Sequence, residues 1–288
     1  MKVEDVKNTA VIGFGVMGAG IVQVLAQAGY QVGVRDVSNE LLQRGLNIIK
    51  SFLSKSVEKG KMKKEDADAA VSRIKVNTST AEIVKNADFI VEAVFEDMDL
   101  KKKLFKELDE ICPKHTILAT NTSMLSVSEL AKATKRPDKV VGMHFFNPVP
   151  LMKLVEVIKG DATSEETVNV TKELSVKLGK VPVVAKDSPG FIVNRVAAFL
   201  FPNEGVRALA EGVATKEDID TAVKLGMNFP MGPLELLDLI GIDTAVDVME
   251  SMYKKMGDPK WKPHPLLMEM KNKGLTGRKA GKGFYTYK

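Results

Sequence analysis

The chain is poor in cysteine and in aromatic residues. Cys112 is the single cysteine among 288 residues, and 6% of the residues are aromatic. One thiol cannot form a disulfide within the chain, which favours a reducing compartment, and we expect the cytoplasm. Cys112 ends a helical pattern and is interpreted as a small apolar residue rather than a nucleophile. Because no basic stretch is interleaved with aromatic residues, we expect no nucleic-acid partner.

Long apolar runs are missing as well. No segment approaches the ~18–20 consecutive apolar residues that cross a bilayer, so we expect no membrane partner. The first residues, Met1–Lys7, carry acids and lack an apolar core, so we expect no signal or transit peptide. The composition is ordinary for a globular protein, and the length suits two domains. The net charge of +5 fits either a solvated lysine-rich surface or a small polyanionic ligand.

A G-x-G-x-x-G turn stands between an apolar strand and a helical pattern near the start of the chain. It comprises Gly13, Phe14, Gly15, Val16, Met17 and Gly18. In such a turn the first glycine permits the tight bend, the second lets the backbone approach a pyrophosphate, and the third lets the helix pack on the strand. The helix N-terminus adds N–H groups and a partial positive charge. Because a second strand follows, the pattern predicts a dinucleotide site rather than a glycine-rich turn alone.

An acidic residue, Asp36, follows this second strand, Gln31–Arg35, about 20 residues beyond the glycine turn. A carboxylate at this position accepts hydrogen bonds from an adenosine ribose and repels a 2′-phosphate, which predicts NAD rather than NADP. Arg35 weakens this preference, although the alternation along a strand points Arg35 and Asp36 to opposite sides. FAD is the other dinucleotide considered, and nothing later in the sequence favours it.

Strands and helices alternate along residues 8–186, a pattern typical of a doubly wound parallel sheet. Helical patterns at Asn39–Gly60 and Lys64–Arg73 are too long for a minimal crossover and predict a helical hairpin. The predicted fold class is therefore α/β. It consists of a Rossmann-type doubly wound parallel sheet with a helical hairpin insertion, followed by an all-α C-terminal domain.

The pattern changes at Lys186–Gly190, where a capping residue and a proline can begin a helix. We place the domain boundary here, with an NAD-binding Rossmann domain at 1–187 and an all-helical domain at 188–288. Within the second domain, Phe191–Gly212 is predicted to form one long helix that is kinked at Pro202.

Three polar residues of the first domain, Ser123, His144 and Glu156, lie in or just after predicted strands. Ligands of an open parallel sheet bind outside the carboxyl ends of its strands, which places Ser123 and His144 near the dinucleotide. Imidazole exchanges protons near neutral pH, so His144 is interpreted as a general base rather than a core histidine. Glu156 interrupts an apolar strand and is predicted to be buried and to orient His144, the alternative being a solvent-facing glutamate on an edge strand.

Ser123 is interpreted as a hydrogen-bond donor to a substrate oxygen, because no G-x-S-x-G elbow surrounds it as in many hydrolases. Asn194 lies early in a mostly apolar helical pattern, where an amide needs a partner. It is the fourth candidate site residue, with helix capping or an interhelical contact as the alternative. We assign no metal site.

The chain resembles the L-3-hydroxyacyl-CoA dehydrogenases along essentially its full length, and most of all the short-chain bacterial members that act on 3-hydroxybutyryl-CoA. The segments HFFNPVP and DSPGFIVNR are specific in combination. The residues that carry the resemblance are VIGFGVMGAGI (11–21), NTSMLS (121–126), GMHFFNPVPLMKLVEVI (142–158), KDSPGFIVNR (186–195), EDIDTAVKLG (217–226), PMGPLELLD (230–238) and GKGFYTY (281–287).

The resemblance implies a reversible hydride transfer between (3S)-3-hydroxyacyl-CoA and NAD⁺ that gives 3-oxoacyl-CoA and NADH, in fatty acid or butyrate metabolism. It implies that His144 takes the 3-hydroxyl proton and that Glu156 orients His144 and stabilises the imidazolium. Ser123 and Asn194 are implied to bind substrate oxygens, with Ser123 touching both ligands.

Further contacts rest on the resemblance alone. It implies cofactor binding by Glu96, Lys101, Asn147 and Lys279, in addition to the glycine turn and Asp36. It implies that lysines of the helical hairpin, Lys55 and Lys59, bind the CoA phosphates, with Lys61 as a rival. It also implies a homodimer formed through the helical domain.

Three other functions are considered. A related enzyme of the same fold can oxidise a different hydroxy acid, such as a sugar acid, without CoA. A lens-type structural protein and a non-catalytic NAD-binding protein are the others, and the four intact site residues argue against the former.

Overall fold

The chain divides into two compact units, Met1–Ser188 and Pro189–Lys288. The structure is a computed structural model and describes residues 1–287. The first unit is an α/β unit built on one sheet, and the second is helical. Within residues 1–287, no helix is long and apolar enough to cross a membrane.

The first unit is organised by an eight-stranded sheet in the order β3-β2-β1-β4-β5-β6-β7-β8. The strands are β1 Asn8–Ile12, β2 Gln31–Arg35, β3 Ile74–Asn77, β4 Phe89–Glu92, β5 Ile117–Thr120, β6 Val140–Phe145, β7 Leu154–Lys159 and β8 Val181–Lys186. The chain moves outward in one direction from β1 to β3 and in the other direction from β4 onward. The point between β1 and β4 is therefore the topological switch, outside which ligands of such sheets bind.

The strand direction departs from the sequence prediction at one place. Among the described strands every neighbouring pair is parallel except β6 and β7, which are antiparallel. The predicted doubly wound α/β architecture is confirmed as a mostly parallel sheet, and this one antiparallel pair was not foreseen from the sequence. The reason is the short connection between Phe145 and Leu154, because a parallel pairing needs a crossover of a dozen or more residues.

The first unit contains seven α-helices, two of which form the insertion. They are α1 Val16–Gln27, α2 Asn39–Glu58, α3 Lys64–Ser72, α4 Thr80–Val84, α5 Met98–Ile111, α6 Val127–Ala131 and α7 Glu165–Lys177. The predicted helical hairpin is confirmed as α2 and α3. Helix α2 buries one stripe at helical spacing, Leu42, Gly45, Ile49 and Leu53, and is partly or fully exposed elsewhere.

Cys112 caps the C-terminal end of α5 and is buried. Burial raises the pKa of its thiol to about 11. The guanidinium of Arg136 donates to the carbonyl oxygens of Cys112 and Asp109 at the same helix end, at 3.3 and 2.9 Å. A thiol that stays protonated in this apolar setting is a poor nucleophile, in agreement with the sequence interpretation.

The second unit contains a π-helical turn and five α-helices in its described residues. These are the turn Asn194–Ala198 and helices α8 Leu200–Ala210, α9 Lys216–Met227, α10 Pro233–Ile240, α11 Ile242–Met256 and α12 Pro265–Asn272. The single kinked helix predicted over Phe191–Gly212 is wrong, because Asn194–Ala198 form a π turn and the chain leaves the helical conformation at Phe199, with a φ of −128°, before α8 begins. Pro202 lies in the first turn of α8, where a missing N–H costs no intrahelical hydrogen bond.

Two buried carboxylates hold the C-terminal tail within this unit. Asp238 accepts hydrogen bonds from the backbone N–H groups of Phe284 and Tyr285 and from the hydroxyl of Tyr287, each at 2.9 Å. Asp220 accepts a hydrogen bond from the Tyr285 hydroxyl at 2.8 Å. Burial and the bond to Asp238 raise the pKa of Tyr287 to about 12. The glycine-rich tail is thereby a packed part of the unit.

Candidate active site

The glycine turn connects β1 to α1, and its three glycines meet different surroundings. Gly13 has a φ of 96°, and a Cβ added there would lie 2.6 Å from the Ala93 carbonyl oxygen. A Cβ at Gly18 would lie 1.9 Å from the carbonyl oxygen of Gly13. A Cβ at Gly15 would meet no described atom within 4 Å. The first and third glycines are therefore required by the fold, whereas the second leaves open the space that a pyrophosphate needs.

Asp36 lies just beyond the carboxyl end of β2 and contacts the glycine turn. Its Oδ2 accepts a hydrogen bond from the Phe14 backbone N–H at 2.6 Å, and its Oδ1 accepts one from the Val37 N–H at 2.6 Å. Arg35, in contrast, donates from Nε to the carbonyl of Thr78 at 3.3 Å. Asp36 rather than Arg35 is thus the side chain placed at the turn.

His144 and Glu156 form a buried pair on neighbouring strands. They are register partners in the antiparallel ladder of β6 and β7. His144 Nδ1 lies 2.7 Å from Glu156 Oε2, and the two residues are 6% and 1% exposed. The ring of Phe146 packs on the imidazole with a centroid distance of 4.5 Å. This geometry fixes the orientation of the imidazole through Nδ1.

The side-chain amide of Asn121 connects the end of β5 to the end of β6 through a hydrogen bond. Asn121 Oδ1 accepts a hydrogen bond from the backbone N–H of Phe145 at 2.9 Å. Since Phe145 directly follows His144, this bond helps fix the strand end that carries the imidazole. Sequence reasoning placed Asn121 at the strand end but gave it no role.

Glu96 holds the loop that carries Ser123. Its Oε1 accepts hydrogen bonds from Thr122 Oγ1 at 2.5 Å and from the backbone N–H groups of Ser123 and Met124 at 2.9 and 3.2 Å. The Ser123 hydroxyl lies 3.4 Å from the same oxygen. The loop after β4 is thereby joined to the loop after β5, and both lie at the carboxyl edge, the sheet edge at which β1, β4, β5 and β6 end.

Lys101 lies beneath this loop and is 1% exposed. Its Nζ is 2.6 Å from Glu92 Oε1 and 3.4 Å from Glu96 Oε2. Glu92 is fully buried at the end of β4, and burial raises the pKa of its carboxyl, an effect that Lys101 opposes. Sequence reasoning missed Glu92, although a lone glutamate in the apolar strand β4 is the same signal that identified Glu156.

The remaining candidates of the first unit lie on its surface. Asn147 is exposed directly after Phe146. Lys55 and Lys59 are exposed near the end of α2. A groove of about 980 Å³ runs along α2 and is lined by Asn39, Glu40, Gln43, Arg44, Asn47, Ile48, Ser51, Phe52 and Lys55. Lys55 thus borders this groove, while Lys59 does not line it.

Two candidates belong to the second unit. Asn194 begins the π-helical turn rather than lying inside an α-helix. Lys279 donates from Nζ to Asp243 Oδ2 at 2.6 Å, and this ion pair lowers the pKa of Asp243 against the effect of burial.

Comparison with known families covers both units. Residues 8–188 match the family model described as 3-hydroxyacyl-CoA dehydrogenase, NAD binding domain. Residues 190–287 match the model described as 3-hydroxyacyl-CoA dehydrogenase, C-terminal domain.

Individual relatives match along nearly their whole length. The chain is 50% identical to 3-hydroxybutyryl-CoA dehydrogenase of Clostridioides difficile, over 96% of this chain and 98% of that one. It is 43% identical to the mitochondrial hydroxyacyl-coenzyme A dehydrogenase of Sus scrofa, over 98% and 92% of the two chains. The crystal structure of (S)-3-hydroxybutyryl-CoA dehydrogenase from Ralstonia eutropha has a TM-score of 0.95, with 43% identity and coverage of 99% and 100%.

Proposed function

The chain belongs to the 3-hydroxyacyl-CoA dehydrogenase family of NAD-dependent oxidoreductases, and from this premise we propose its reaction and its substrate. It interconverts (3S)-3-hydroxyacyl-CoA and 3-oxoacyl-CoA, with 3-hydroxybutyryl-CoA and acetoacetyl-CoA as the preferred pair. The observation that carries the proposal is the buried pair of His144 and Glu156 at the carboxyl edge, the same edge that bears the glycine turn.

The residues at this edge fit an NAD cofactor. The open space at Gly15 admits the pyrophosphate, the N-terminus of α1 faces it, and the Asp36 carboxylate is available to ribose hydroxyls. When bound, NAD⁺ supplies the hydride acceptor. Asp36 also disfavours a 2′-phosphate, which supports NAD over NADP.

His144 acts as the general base and acid of this proposal. In the oxidation, Nε2 takes the proton of the 3-hydroxyl while the hydrogen on C3 leaves as hydride, and in the reduction the same nitrogen returns the proton. Glu156 holds Nδ1 and stabilises the imidazolium that forms. In this proposal the neutral imidazole is the base of the oxidation, and the imidazolium is the acid of the reduction.

Ser123 and Asn194 hold the substrate oxygens in this proposal. Support for Ser123 is its position at the carboxyl edge on a loop fixed by Glu96. Asn194 is supported by the sequence resemblance, because it belongs to the segment KDSPGFIVNR that carries the resemblance.

The other ligand contacts are proposed on the resemblance and on exposure. Glu96, Lys101, Asn147 and Lys279 contact the cofactor, and Lys101 acts mainly through Glu96 because its ammonium is buried. Lys55 and Lys59 bind the CoA phosphates. The groove along α2, bordered by Lys55 and by Arg44, supports this assignment for Lys55 more than for Lys59.

We also propose that two chains associate through the helical unit. Helix α9 exposes large apolar side chains at its C-terminal end, with Leu225 81% exposed and Met227 61% exposed, and Val213 precedes the helix with 70% exposed. Large apolar side chains exposed at both ends of one helix support an interface between proteins.

The proposed reaction is tested by the loss of NADH absorbance on mixing the protein with NADH and acetoacetyl-CoA. Free acetoacetate and NADPH serve as matched controls. Rapid oxidation of NADH that requires the CoA ester supports the proposal. Turnover of the free acid at the same rate would instead identify a CoA-independent hydroxy acid dehydrogenase, and cofactor binding without any turnover would identify a non-catalytic NAD-binding protein.

A further inference from the structure

Glu92 is a buried carboxylate that the proposed reaction does not use. It lies at the last position of β4, is 0% exposed, and has three partners on its two oxygens. Oε1 accepts from Lys101 Nζ at 2.6 Å and from the Val94 N–H at 2.7 Å, and Oε2 accepts from Thr120 Oγ1 at 2.7 Å. Burying a carboxylate this deeply costs free energy unless both of its oxygens have partners, as they do here.

A continuous chain of polar contacts leads from Glu92 to the loop after β5, which carries Ser123. The Lys101 ammonium joins Glu92 to Glu96, and Glu96 accepts hydrogen bonds from the loop residues Thr122 and Ser123. Strand β4, helix α5 and the loop after β5 are therefore coupled through one ammonium group and two carboxylates.

The distances along this chain are unequal. Lys101 Nζ lies 0.8 Å closer to Glu92 than to Glu96, at 2.6 against 3.4 Å. The ammonium is thus held mainly by Glu92, and Glu96 keeps Oε1 for the loop. If Glu92 lost its charge, Glu96 would become the nearer charged partner of Lys101. The attraction would then draw the Glu96 carboxylate away from the loop.

We propose that Glu92 is a positioning residue for the reaction, acting through Lys101 on Glu96 and thereby on Ser123. This inference rests on the proposed function, in which Ser123 and Glu96 contact the ligands. Glu92 itself touches neither substrate nor cofactor. Its role is to hold Lys101 at a distance from Glu96 that leaves the loop in place.

The alternative is that Glu92 stabilises the fold and nothing more. Both accounts predict a loss of stability on substitution, so stability alone does not separate them. The chain offers a matched control in the ion pair of Asp109 and Arg136, which is also buried in the first unit, with Oδ1 2.6 Å from Nε. This pair caps α5 and contacts none of the proposed site residues.

The test is Glu92→Gln with Asp109→Asn as the control, measured for NADH affinity by fluorescence and for kcat/KM with acetoacetyl-CoA. We expect Glu92→Gln to weaken NADH binding and lower kcat/KM by about tenfold each, while Asp109→Asn changes either by about twofold or less. Equal effects of the two variants would overturn the positioning role.

A double-mutant comparison isolates the coupling to the loop. In a Glu96→Gln background, we expect Glu92→Gln to lower kcat/KM by only about twofold, because the charge that Lys101 would draw away from the loop is already gone. An undiminished tenfold effect would contradict the inference. Should Glu92→Gln fail to fold, Thr120→Val removes the hydrogen bond to Glu92 and the one that Thr120 Oγ1 accepts from the Thr122 N–H, and it is expected to weaken NADH binding in the same direction. No weakening by Thr120→Val would count against the role.

Failure of the proposed function has a separate signature. A wild-type chain that binds NADH but leaves acetoacetyl-CoA unreduced would contradict the proposed substrate. The NADH affinities of Glu92→Gln and Asp109→Asn would still decide the positioning role, because that readout needs no acyl substrate.

Discussion

His144 and Glu156 lie directly opposite each other on β6 and β7, with 2.7 Å between Nδ1 and Oε2. Opposed residues of an antiparallel ladder point to the same face, so the reversal of β7 places the carboxylate against the imidazole. Both side chains stand on buried strands rather than on loops, which fixes their mutual orientation before any ligand arrives. The pair is therefore preorganised for the proton exchange that we propose.

Glu156→Gln is expected to impair this site while leaving cofactor binding intact. The amide nearly preserves the shape of the side chain but cannot stabilise an imidazolium by charge, so kcat for acetoacetyl-CoA reduction should fall by about 10²-fold. Steady-state kinetics give kcat, and NADH fluorescence gives the affinity. An unchanged kcat would show that the carboxylate has a structural role alone.

Two similar substitutions in the glycine turn, Gly18→Ala and Gly15→Ala, are expected to impair different properties of the protein. Gly18→Ala places a Cβ 1.9 Å from the Gly13 carbonyl oxygen, so it should lower the free energy of unfolding by several kcal/mol or prevent folding. Gly15→Ala meets no described atom within 4 Å, so it should fold with wild-type stability and yet lose NADH affinity. Urea unfolding and NADH titration measure the two effects. Normal NADH binding by Gly15→Ala would contradict the assignment of the pyrophosphate to this turn.

Asp36→Ala is expected to weaken NADH binding by about tenfold or more, since the carboxylate serves both the ribose and the Phe14 N–H. NADPH should lose less affinity than NADH, because a repulsive charge is removed. Arg35→Gln is the neighbouring control, and it should leave NADH affinity nearly unchanged because Arg35 bonds to Thr78. Equal NADH affinity of wild type and Asp36→Ala would remove Asp36 from the cofactor site.

We expect the protein to lose stability at alkaline pH, because two tyrosines of the C-terminal tail have raised pKa values. The pKa of Tyr287 is raised to about 12 in the folded protein, so its contribution is fully present below the pKa of an unfolded tyrosine, about 10. As the pH rises from about 10 to 12, Tyr287 ionises in the unfolded chain before it ionises in the folded protein. The free energy of unfolding therefore falls over this range. Burial and the Asp220 carboxylate raise the pKa of Tyr285 in the same direction.

Tyr287→Phe removes one of these ionisable groups. The fall in the free energy of unfolding with rising pH should therefore be shallower in this variant than in wild type, measured by urea unfolding across the alkaline range. Parallel pH profiles for the two proteins would show that the tail does not hold Tyr287 as the structure describes.

Much of the site could be predicted from local sequence. The glycine turn, Asp36 and the His144 strand end each follow from a pattern of neighbouring residues combined with one rule about parallel sheets. Glu156 was identified because a charge in an apolar strand needs a buried partner, and the structure places that partner where the prediction put it.

The rest depends on contacts between distant residues. Helical spacing places Lys101 on the buried stripe of α5 with Leu104 and Leu108, but no local pattern identifies Glu92 as its partner. Asp238 lies 46 residues before Phe284, and no local signal connects them. The break at Phe199, between the π turn and α8, falls inside a continuous apolar pattern, which therefore predicted one unbroken helix.

The central claim is that His144 exchanges the substrate proton in an NAD(H)-dependent reduction. The most direct test is the rate of NADH oxidation by His144→Gln with acetoacetyl-CoA, measured beside wild type at matched NADH saturation. We predict that turnover falls by about 10²–10⁴-fold while NADH affinity stays the same. Wild-type turnover by His144→Gln would contradict the account.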